Sequence, residues 1–171
     1  MGKAARIKRS KAKELKPREC GDCQLCCKLM NVPGLKENDE WCKHCDRGVG
    51  CSIYTSPEKP QSCSDFLCLW RLDVPNFKDI LPESLRPDKC GLVLASKPSP
   101  DDGWQNFYVY ITADDVTKED YATKVVHFFT HRMRLPVILR QGEHCLGFQP
   151  GSMEAETIPP NSIMRRNPLA V

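Results

Sequence analysis

The chain has 171 residues, of which 40% are hydrophobic and 27% charged, and its formal net charge is +3. This length suits one domain and leaves little room for a second. No apolar run reaches the ~18 residues that indicate a transmembrane helix, and the basic N-terminus lacks the apolar segment of a secretory signal. We therefore expect a cytoplasmic protein that makes no membrane contact.

Residues 1–19 are predicted to form a basic, flexible arm. They contain eight Lys or Arg against two Glu, so the remainder of the chain is mildly acidic. Basic side chains neutralise phosphates, and the arm could therefore contact a nucleic acid. It has no aromatic residue to stack on bases, which favours the simpler interpretation of a solvated tail. A nucleic acid is therefore a possible partner only through this arm, and a protein partner is the main prediction.

Residues 20–72 form a cysteine-rich segment that holds nine of the 11 cysteines. Apolar periodicity is poor and turn-forming residues are frequent, so the segment cannot bury enough apolar surface to offset the entropy of ordering the chain. In a reducing cytosol such a concentration of thiols is more typical of metal binding than of disulfides. Metal ligation would supply the missing folding free energy, and we therefore expect a metal-stapled segment.

The predicted metal ligands are the nine cysteines of this segment: Cys20, Cys23, Cys26, Cys27, Cys42, Cys45, Cys51, Cys63 and Cys68. A gap of two residues lets both thiolates of a pair reach one ion, and the spacing from Cys23 and Cys26 to the pair that begins at Cys42 is that of a tetrahedral zinc site. The adjacent side chains of Cys26 and Cys27 diverge, which disfavours chelation of one ion by both. Nine ligands allow two four-thiolate centres with one cysteine left over, or one centre with additional structural thiols.

Zinc and an iron–sulfur cluster or iron are both predicted as cofactors, because each accepts four thiolates. The run from Cys20 to Cys26 is similar to the start of a ferredoxin motif, but Cys27 follows directly and no cysteine precedes a proline. A zinc centre would be structural, whereas an iron–sulfur centre would add electron transfer or sensing, so the sequence leaves enzymatic activity open. His44 could replace a thiolate or hydrogen-bond a metal-bound sulfur; the alternative is an exposed loop histidine.

Four bulky apolar residues near the cysteines are expected to form a small core around the metal: Trp41, Tyr54, Phe66 and Trp70. Cys90 and Cys145 lie outside the cluster and are predicted to be buried as small apolar residues. His127 and His131 have a spacing that can clamp a metal on a helix, but they fall opposite its apolar face and are predicted to face solvent.

Residues 73–150 are predicted to form a small α+β region that packs with the cysteine-rich segment as one domain. A proline-rich connector over 73–90 holds a short helical turn at 83–86. The elements that follow are a strand at 92–95, a turn at 99–103, a strand at 106–112, a helix at 117–134, a strand at 136–140 and a turn at 141–143. Residues 151–171 are polar and predicted to be a flexible tail. The expected fold class is small α+β, an irregular half followed by a three-stranded sheet with one packed helix.

Several stretches of the cysteine-rich segment carry a specific pattern: residues 20–27 (CGDCQLCC), 41–45 (WCKHC), 50–54 (GCSIY) and 59–63 (KPQSC), continuing through Phe66, Cys68 and Trp70. Over residues 20–72 the chain resembles the YkgJ-type cysteine-cluster family, the CxxCxxCC or zinc- or iron-chelating domain, which is related to a domain of flagellin lysine N-methylases. The resemblance implies a chelating module with all nine cysteines on pattern positions. Lys59 departs from it, because the family usually has Arg there and an ammonium lacks the planar fork of a guanidinium.

The resemblance implies no particular reaction. A methylase activity does not carry over, because the chain has no Gly-rich loop after a strand and no room for a complete methyltransferase domain. The expected function is therefore metal chelation by an accessory or interaction module that binds a protein partner. The alternatives are an iron–sulfur redox or sensor protein and a component of a metal-dependent enzyme.

Overall fold

The computed structural model describes residues 18–72, 81–98, 107–115 and 119–159. The predicted basic arm lies outside these ranges except for its last two residues. The same holds for residues 73–80 of the connector, for the turn expected at 99–103, for the expected start of the helix at 117–118 and for residues 160–171 of the expected tail. All nine predicted ligands fall on described residues.

The cysteine-rich half is built from short elements. They are, in chain order, α1 (Leu25–Leu29), β1 (Cys45–Asp46), β2 (Gly50–Cys51), α2 (Gln61–Asp65) and α3 (Pro87–Cys90). Two 3-10 turns, at Leu69–Arg71 and Glu83–Leu85, separate α2 from α3, and the second lies where the helical turn was expected. Strands β1 and β2 pair antiparallel. Elements this short bury little apolar surface of their own, in agreement with the expected irregular half.

A five-stranded sheet forms the other half. Its strands lie in chain order across the sheet: β3 (Leu92–Pro98), β4 (Phe107–Ala113), β5 (Val137–Gln141), β6 (His144–Phe148) and β7 (Ala155–Thr157). Neighbouring strands are antiparallel except β4 and β5, which are parallel because the helix between them returns the chain to the same end of the sheet. The predicted α+β class and the antiparallel pairing of the first two predicted strands are confirmed.

The sheet is larger than the three strands that were predicted. After the turn at Gly142, where φ is 53°, β6 pairs with β5 along its whole length. The short strand β7 pairs with β6 in turn, although it lies in the segment expected to be a flexible tail. Its three residues are all exposed, so the strand is held by backbone hydrogen bonds to β6 alone. Exposed residues of this kind leave no hydrophobic pattern in the sequence from which a strand could be predicted.

Helix α4 (Glu119–His127) covers one face of the sheet and continues as a π-type turn at Phe128–Arg132. Val125, Val126 and Phe129 are buried against the strands, and each such side chain contributes roughly 1.5–3 kcal/mol. His127 is exposed, as predicted, and its ring stacks on that of His131 at a centroid distance of 4.3 Å. His131 is instead half-buried, with its Nδ1 2.9 Å from the hydroxyl of the buried Thr130. No helix within the described ranges has both the length and the apolar character to cross a membrane.

Helix α1 covers the opposite face of the sheet. Leu25 and Leu29 pack against Val93 of β3, whereas the neighbouring Leu92 and Leu94 belong to the core beneath α4. This division follows from the alternation of side chains along a strand. Helices α1 and α4 thus lie on opposite faces of the sheet, while Leu69 and Trp70 at the end of the cysteine-rich segment join the core on the α4 side.

Two ion pairs link the cysteine-rich half to the sheet. The Arg140 guanidinium of β5 donates to both carboxylate oxygens of Asp39, at 2.6 and 3.0 Å, and to the Leu29 carbonyl at 2.9 Å. Lys28 of α1 contacts Asp114 at 2.6 Å. Arg140 is only 7% exposed, so its charge depends on these partners for compensation.

Candidate metal centre

Seven of the nine predicted ligands surround one cavity of about 180 Å³. They are Cys20, Cys26, Cys27, Cys42, Cys51, Cys63 and Cys68. None of the 11 cysteines is in a disulfide. The seven thiols come from stretches of chain up to 48 residues apart and are brought together by the packing of α1, the β1–β2 hairpin and α2, so their convergence belongs to the tertiary structure.

The first four cysteines are positioned by a turn that leads into α1. Gly21 adopts a φ of 57°, a left-handed conformation that glycine adopts without strain. The backbone N–H of Cys23 donates to the Cys20 carbonyl at 3.1 Å, and that of Cys27 donates to the Gln24 carbonyl at 2.8 Å. These turns bring the backbone of the four cysteines close together at the start of α1.

The β1–β2 hairpin brings the next cysteines to α1. Cys45 and Cys51 are directly opposite one another in the hairpin. The Cys42 N–H donates to the Cys27 carbonyl at 3.0 Å, and the Cys45 N–H donates to the Cys42 carbonyl at 3.0 Å. These backbone bonds fix the hairpin against the end of the CxxCxxCC run without using any thiol.

Gln24 is a positioning residue that the sequence analysis missed. Its side chain is buried and makes two hydrogen bonds to the hairpin: the amide nitrogen donates to the Asp46 carbonyl at 2.8 Å, and the amide oxygen accepts from the Gly48 N–H at 3.0 Å. A glutamine between two cysteines is ordinarily expected to be exposed to solvent, and its position in the sequence does not indicate that it is buried. Only the folded chain shows that it clamps the hairpin.

The nine thiols fall into two groups. The first thiol group lines a smaller cavity of about 20 Å³ beside Trp70 and Val93 and consists of Cys20, Cys23, Cys26 and Cys68. The second thiol group consists of Cys27, Cys42, Cys51 and Cys63, which line only the large cavity, and of Cys45, which lies opposite Cys51 in the hairpin. The two groups meet at the adjacent residues Cys26 and Cys27 of α1.

The pKa values of the neighbouring thiols of Cys26 and Cys27 are shifted in opposite directions. The interaction with the Cys26 thiol lowers the pKa of Cys27 to about 6, against the opposing effect of burial, and the Cys45 thiol and the charges of Lys36 and Lys59 also lower it. The interaction with the Cys27 thiol raises the pKa of Cys26 well above its usual range, and burial raises it too. Cys27 is therefore the more acidic thiol of this pair.

Burial raises the pKa of most other thiols in the cluster. The pKa of Cys23 and that of Cys45 are each raised to about 11, chiefly by loss of solvent. The pKa values of Cys63 and Cys68 are also raised, with burial again the main cause. These thiols are protonated at neutral pH, so any metal that binds them as thiolates has to displace protons.

Two lysines supply positive charge beside the second thiol group. Lys36 is 8% exposed, and its ammonium donates to the carbonyls of Lys28 and Glu37 at 3.1 and 2.7 Å and to that of Met30. Lys59 lies over the Tyr54 ring at 4.1 Å. Both side chains line the large cavity. A four-thiolate zinc site carries two net negative charges, which nearby ammonium groups compensate.

The expected aromatic core around the cysteines is only half present. Trp70 is buried, with its indole N–H donating to the Pro82 carbonyl at 3.2 Å, and Phe66 packs against both apolar clusters. Trp41 and Tyr54 are instead 38% and 61% exposed, so neither is buried in a core, although Tyr54 still lines the large cavity. Arg47 and Lys59 lie over their faces, so solvated cations rather than a core cover the rings.

The remaining candidates behave largely as expected. Cys90 and Cys145 are buried, at 4% and 5% exposure, and neither lines the cysteine cavities. His44 is half-buried next to β1, and its backbone carbonyl accepts a hydrogen bond from the Ser52 N–H at 2.9 Å. Among the residues that the structure describes, no three or more Cys, His, Asp or Glu side chains are arranged to hold a metal ion as they stand.

Comparisons with family models, curated proteins and solved structures find no match to this chain.

Proposed function

We propose that this protein binds zinc, or iron in an iron–sulfur centre, through the thiolates of its cysteine cluster. The observation that carries the proposal is the convergence of seven cysteines from separate stretches of the chain around one cavity. Thiols gathered at this density in a segment with few apolar contacts are typical of metal ligands in a reducing compartment. The proposal therefore includes a cytoplasmic location.

Binding would reorganise the cluster. The thiols are not yet arranged as a coordination shell in the described residues, and zinc requires sulfur ligands at about 2.3 Å. Short elements such as α1, β1 and β2, of two to five residues each, present little resistance to such a movement. Metal binding would thus contribute directly to the folding free energy of residues 20–72.

An iron–sulfur redox or sensor role is the alternative within the same site. The large cavity is lined by apolar side chains as well as thiols, among them Met30, Leu35 and Phe66. Limited solvent access of this kind tunes the reduction potential of an iron–sulfur centre, whereas a structural zinc site makes no use of it. Either metal fits an accessory module that acts with a protein partner, and we include such a partner in the proposal.

The test is metal and thiol analysis of the full chain purified under anaerobic, reducing conditions. We expect stoichiometric zinc, or iron with acid-labile sulfide and a visible charge-transfer spectrum, together with cluster thiols that react slowly until a chelator is added. Cys20→Ser should lower the metal content, whereas Cys145→Ala, at a buried cysteine outside the cluster, should leave it unchanged. Metal-free protein that takes up neither zinc nor iron on reconstitution would refute the function.

A further inference from the structure

We infer that the cysteine cluster holds two separate metal centres whose ligands divide at the peptide bond between Cys26 and Cys27. This inference rests on the proposed metal binding and adds to it the number of centres and the thiols of each. The first centre takes the four thiols of the first group. The second centre takes four of the five thiols of the second group.

The first thiol group has the count and the surroundings of one tetrahedral site. Its four members line the small cavity of about 20 Å³ together with the apolar residues Trp70 and Val93. Cys68 is only 7% exposed, and it comes from a stretch of chain distant from the CxxCxxC run. Closely spaced cysteines combined with one from a distant part of the chain are an ordinary arrangement for a closed four-thiolate site.

Three parts of the chain contribute the thiols that accompany Cys27 in the second group: the loop at Cys42, the β1–β2 hairpin and α2. Cys42 is tied to Cys27 through the backbone at 3.0 Å, Cys45 and Cys51 face one another across the hairpin, and Cys63 lies at the first turn of α2 on the wall of the large cavity. The five thiols therefore exceed one site by a single ligand. The ammonium groups of Lys36 and Lys59 supply the positive charge that this second site needs.

Helix geometry opposes a single shared ion. Successive residues of a helix point about 100° apart, so the side chains of Cys26 and Cys27 leave α1 in different directions. Cys26 lies with Cys20 and Cys23, and it lines both cavities, whereas Cys27 lines only the larger one. One tetrahedral ion would also leave five thiols of the cluster without a metal.

The test is a titration with cobalt(II), a spectroscopic substitute for zinc, of full-length protein stripped of metal and kept reduced. We expect two equivalents bound, with the intense charge-transfer bands of cobalt–thiolate coordination. The double variant Cys20→Ser/Cys23→Ser should bind one equivalent, and so should Cys42→Ser/Cys51→Ser. The cobalt that each variant retains shows that the rest of the cluster still folds, and Cys145→Ala should bind two.

A measurement on the unmutated protein covers the case in which a variant fails to fold. Stepwise chelation of the loaded protein, with alkylation and mass spectrometry at each step, should expose the thiols of one group together before those of the other. Loss of all cobalt from both double variants, or simultaneous exposure of both groups, would indicate one bridged cluster and overturn the inference. One equivalent bound by the unmutated protein would also overturn it, while metal binding itself would stand.

Discussion

Lys59 shows how a single side chain can keep a required charge while changing its geometry. The resemblance led us to expect Arg at this position, and the structure places the lysine ammonium over the Tyr54 ring at 4.1 Å and beside Cys27. A point charge is sufficient there, because lowering the pKa of a thiol needs proximity rather than two parallel hydrogen bonds. Lys36 supplies a second such charge from a buried position, held by three backbone carbonyls.

Lys97 on β3 destabilises the folded protein when its side chain is charged. Burial lowers its pKa to about 8, and the charge of Arg140 lowers it further, while the Tyr110 ring lies 4.4 Å from its ammonium. Between pH 8 and the ordinary lysine range the unfolded chain binds more protons than the folded chain. Stability therefore rises with pH across this window, and below it the charged Lys97 is destabilising.

We predict that Lys97→Met stabilises the protein at pH 7 by on the order of 1–3 kcal/mol, less what is lost from the contact with Tyr110. The gain should shrink as the pH rises from 8 towards 10, because the wild-type amine then becomes neutral in the folded state. Denaturant unfolding of both proteins at pH 7 and pH 9.5 measures the difference. Lys124→Met, at an exposed position of α4, is the control and should show neither effect.

At the level of elements, the contact between β5 and the loop after α1 determines where the cysteine-rich half lies on the sheet. Arg140 reaches Asp39, Leu29 and Gly142 from a single guanidinium. Asp39 itself has a φ of 62°, a conformation that Asp and Asn tolerate better than most residues. The loop conformation and the buried ion pair therefore depend on the same residue.

We predict that Asp39→Asn lowers the free energy of unfolding by about 1–4 kcal/mol, because it leaves the buried Arg140 without its compensating charge while preserving the backbone preference. The matched control is Glu37→Gln in the same loop, at an exposed residue, which should change stability by less than about 0.5 kcal/mol. Chemical denaturation of both variants provides the comparison. Equal effects of the two substitutions would show that the pair with Arg140 contributes nothing specific.

At the level of the whole molecule, the two halves are stabilised by different means. The sheet and α4 share an apolar core that includes Leu92, Ile111, Val126, Phe129 and Val137. The cysteine-rich half contributes Leu69 and Trp70 to this core, and Leu25 and Leu29 to a second, smaller cluster. One half is therefore stable through burial of apolar surface, whereas the other depends on its contact with the sheet and, under the proposed function, on metal ions.

We predict that removing metal from the loaded protein with a chelator lowers the local stability of the cysteine-rich half more than that of the sheet. Amide hydrogen exchange in residues 20–68 should become faster by more than about tenfold, equivalent to roughly 1.4 kcal/mol of local stability. Exchange at Ile111 and Val137 in the central strands should change less, because Cys68 is the only cluster cysteine among the buried residues of their core. Unchanged protection in residues 20–68 would contradict a structural role for the metal.

Patterns over short distances were sufficient to predict much of the fold. The three strongest strands and α4 were located within a few residues, because alternation and helical periodicity report which side chains are buried. Strand β7 was missed because its residues are exposed and its pairing with β6 involves only the backbone. The buried position of Gln24 was missed because its partners, Asp46 and Gly48, lie more than 20 residues away.

The sequence by itself determined the α+β class, the polar face of α4 and the identity of the nine candidate ligands, since these follow from composition and local spacing. Only the tertiary structure decided which thiols are neighbours, because that depends on how α1, the β1–β2 hairpin and α2 pack together. It also decided that Cys26 lines both cavities while Cys27 lines only the larger one, and that the buried Lys36 lines that larger cavity too. Contacts between distant segments depend on the three-dimensional path of the chain, and residue spacing carries no information about that path.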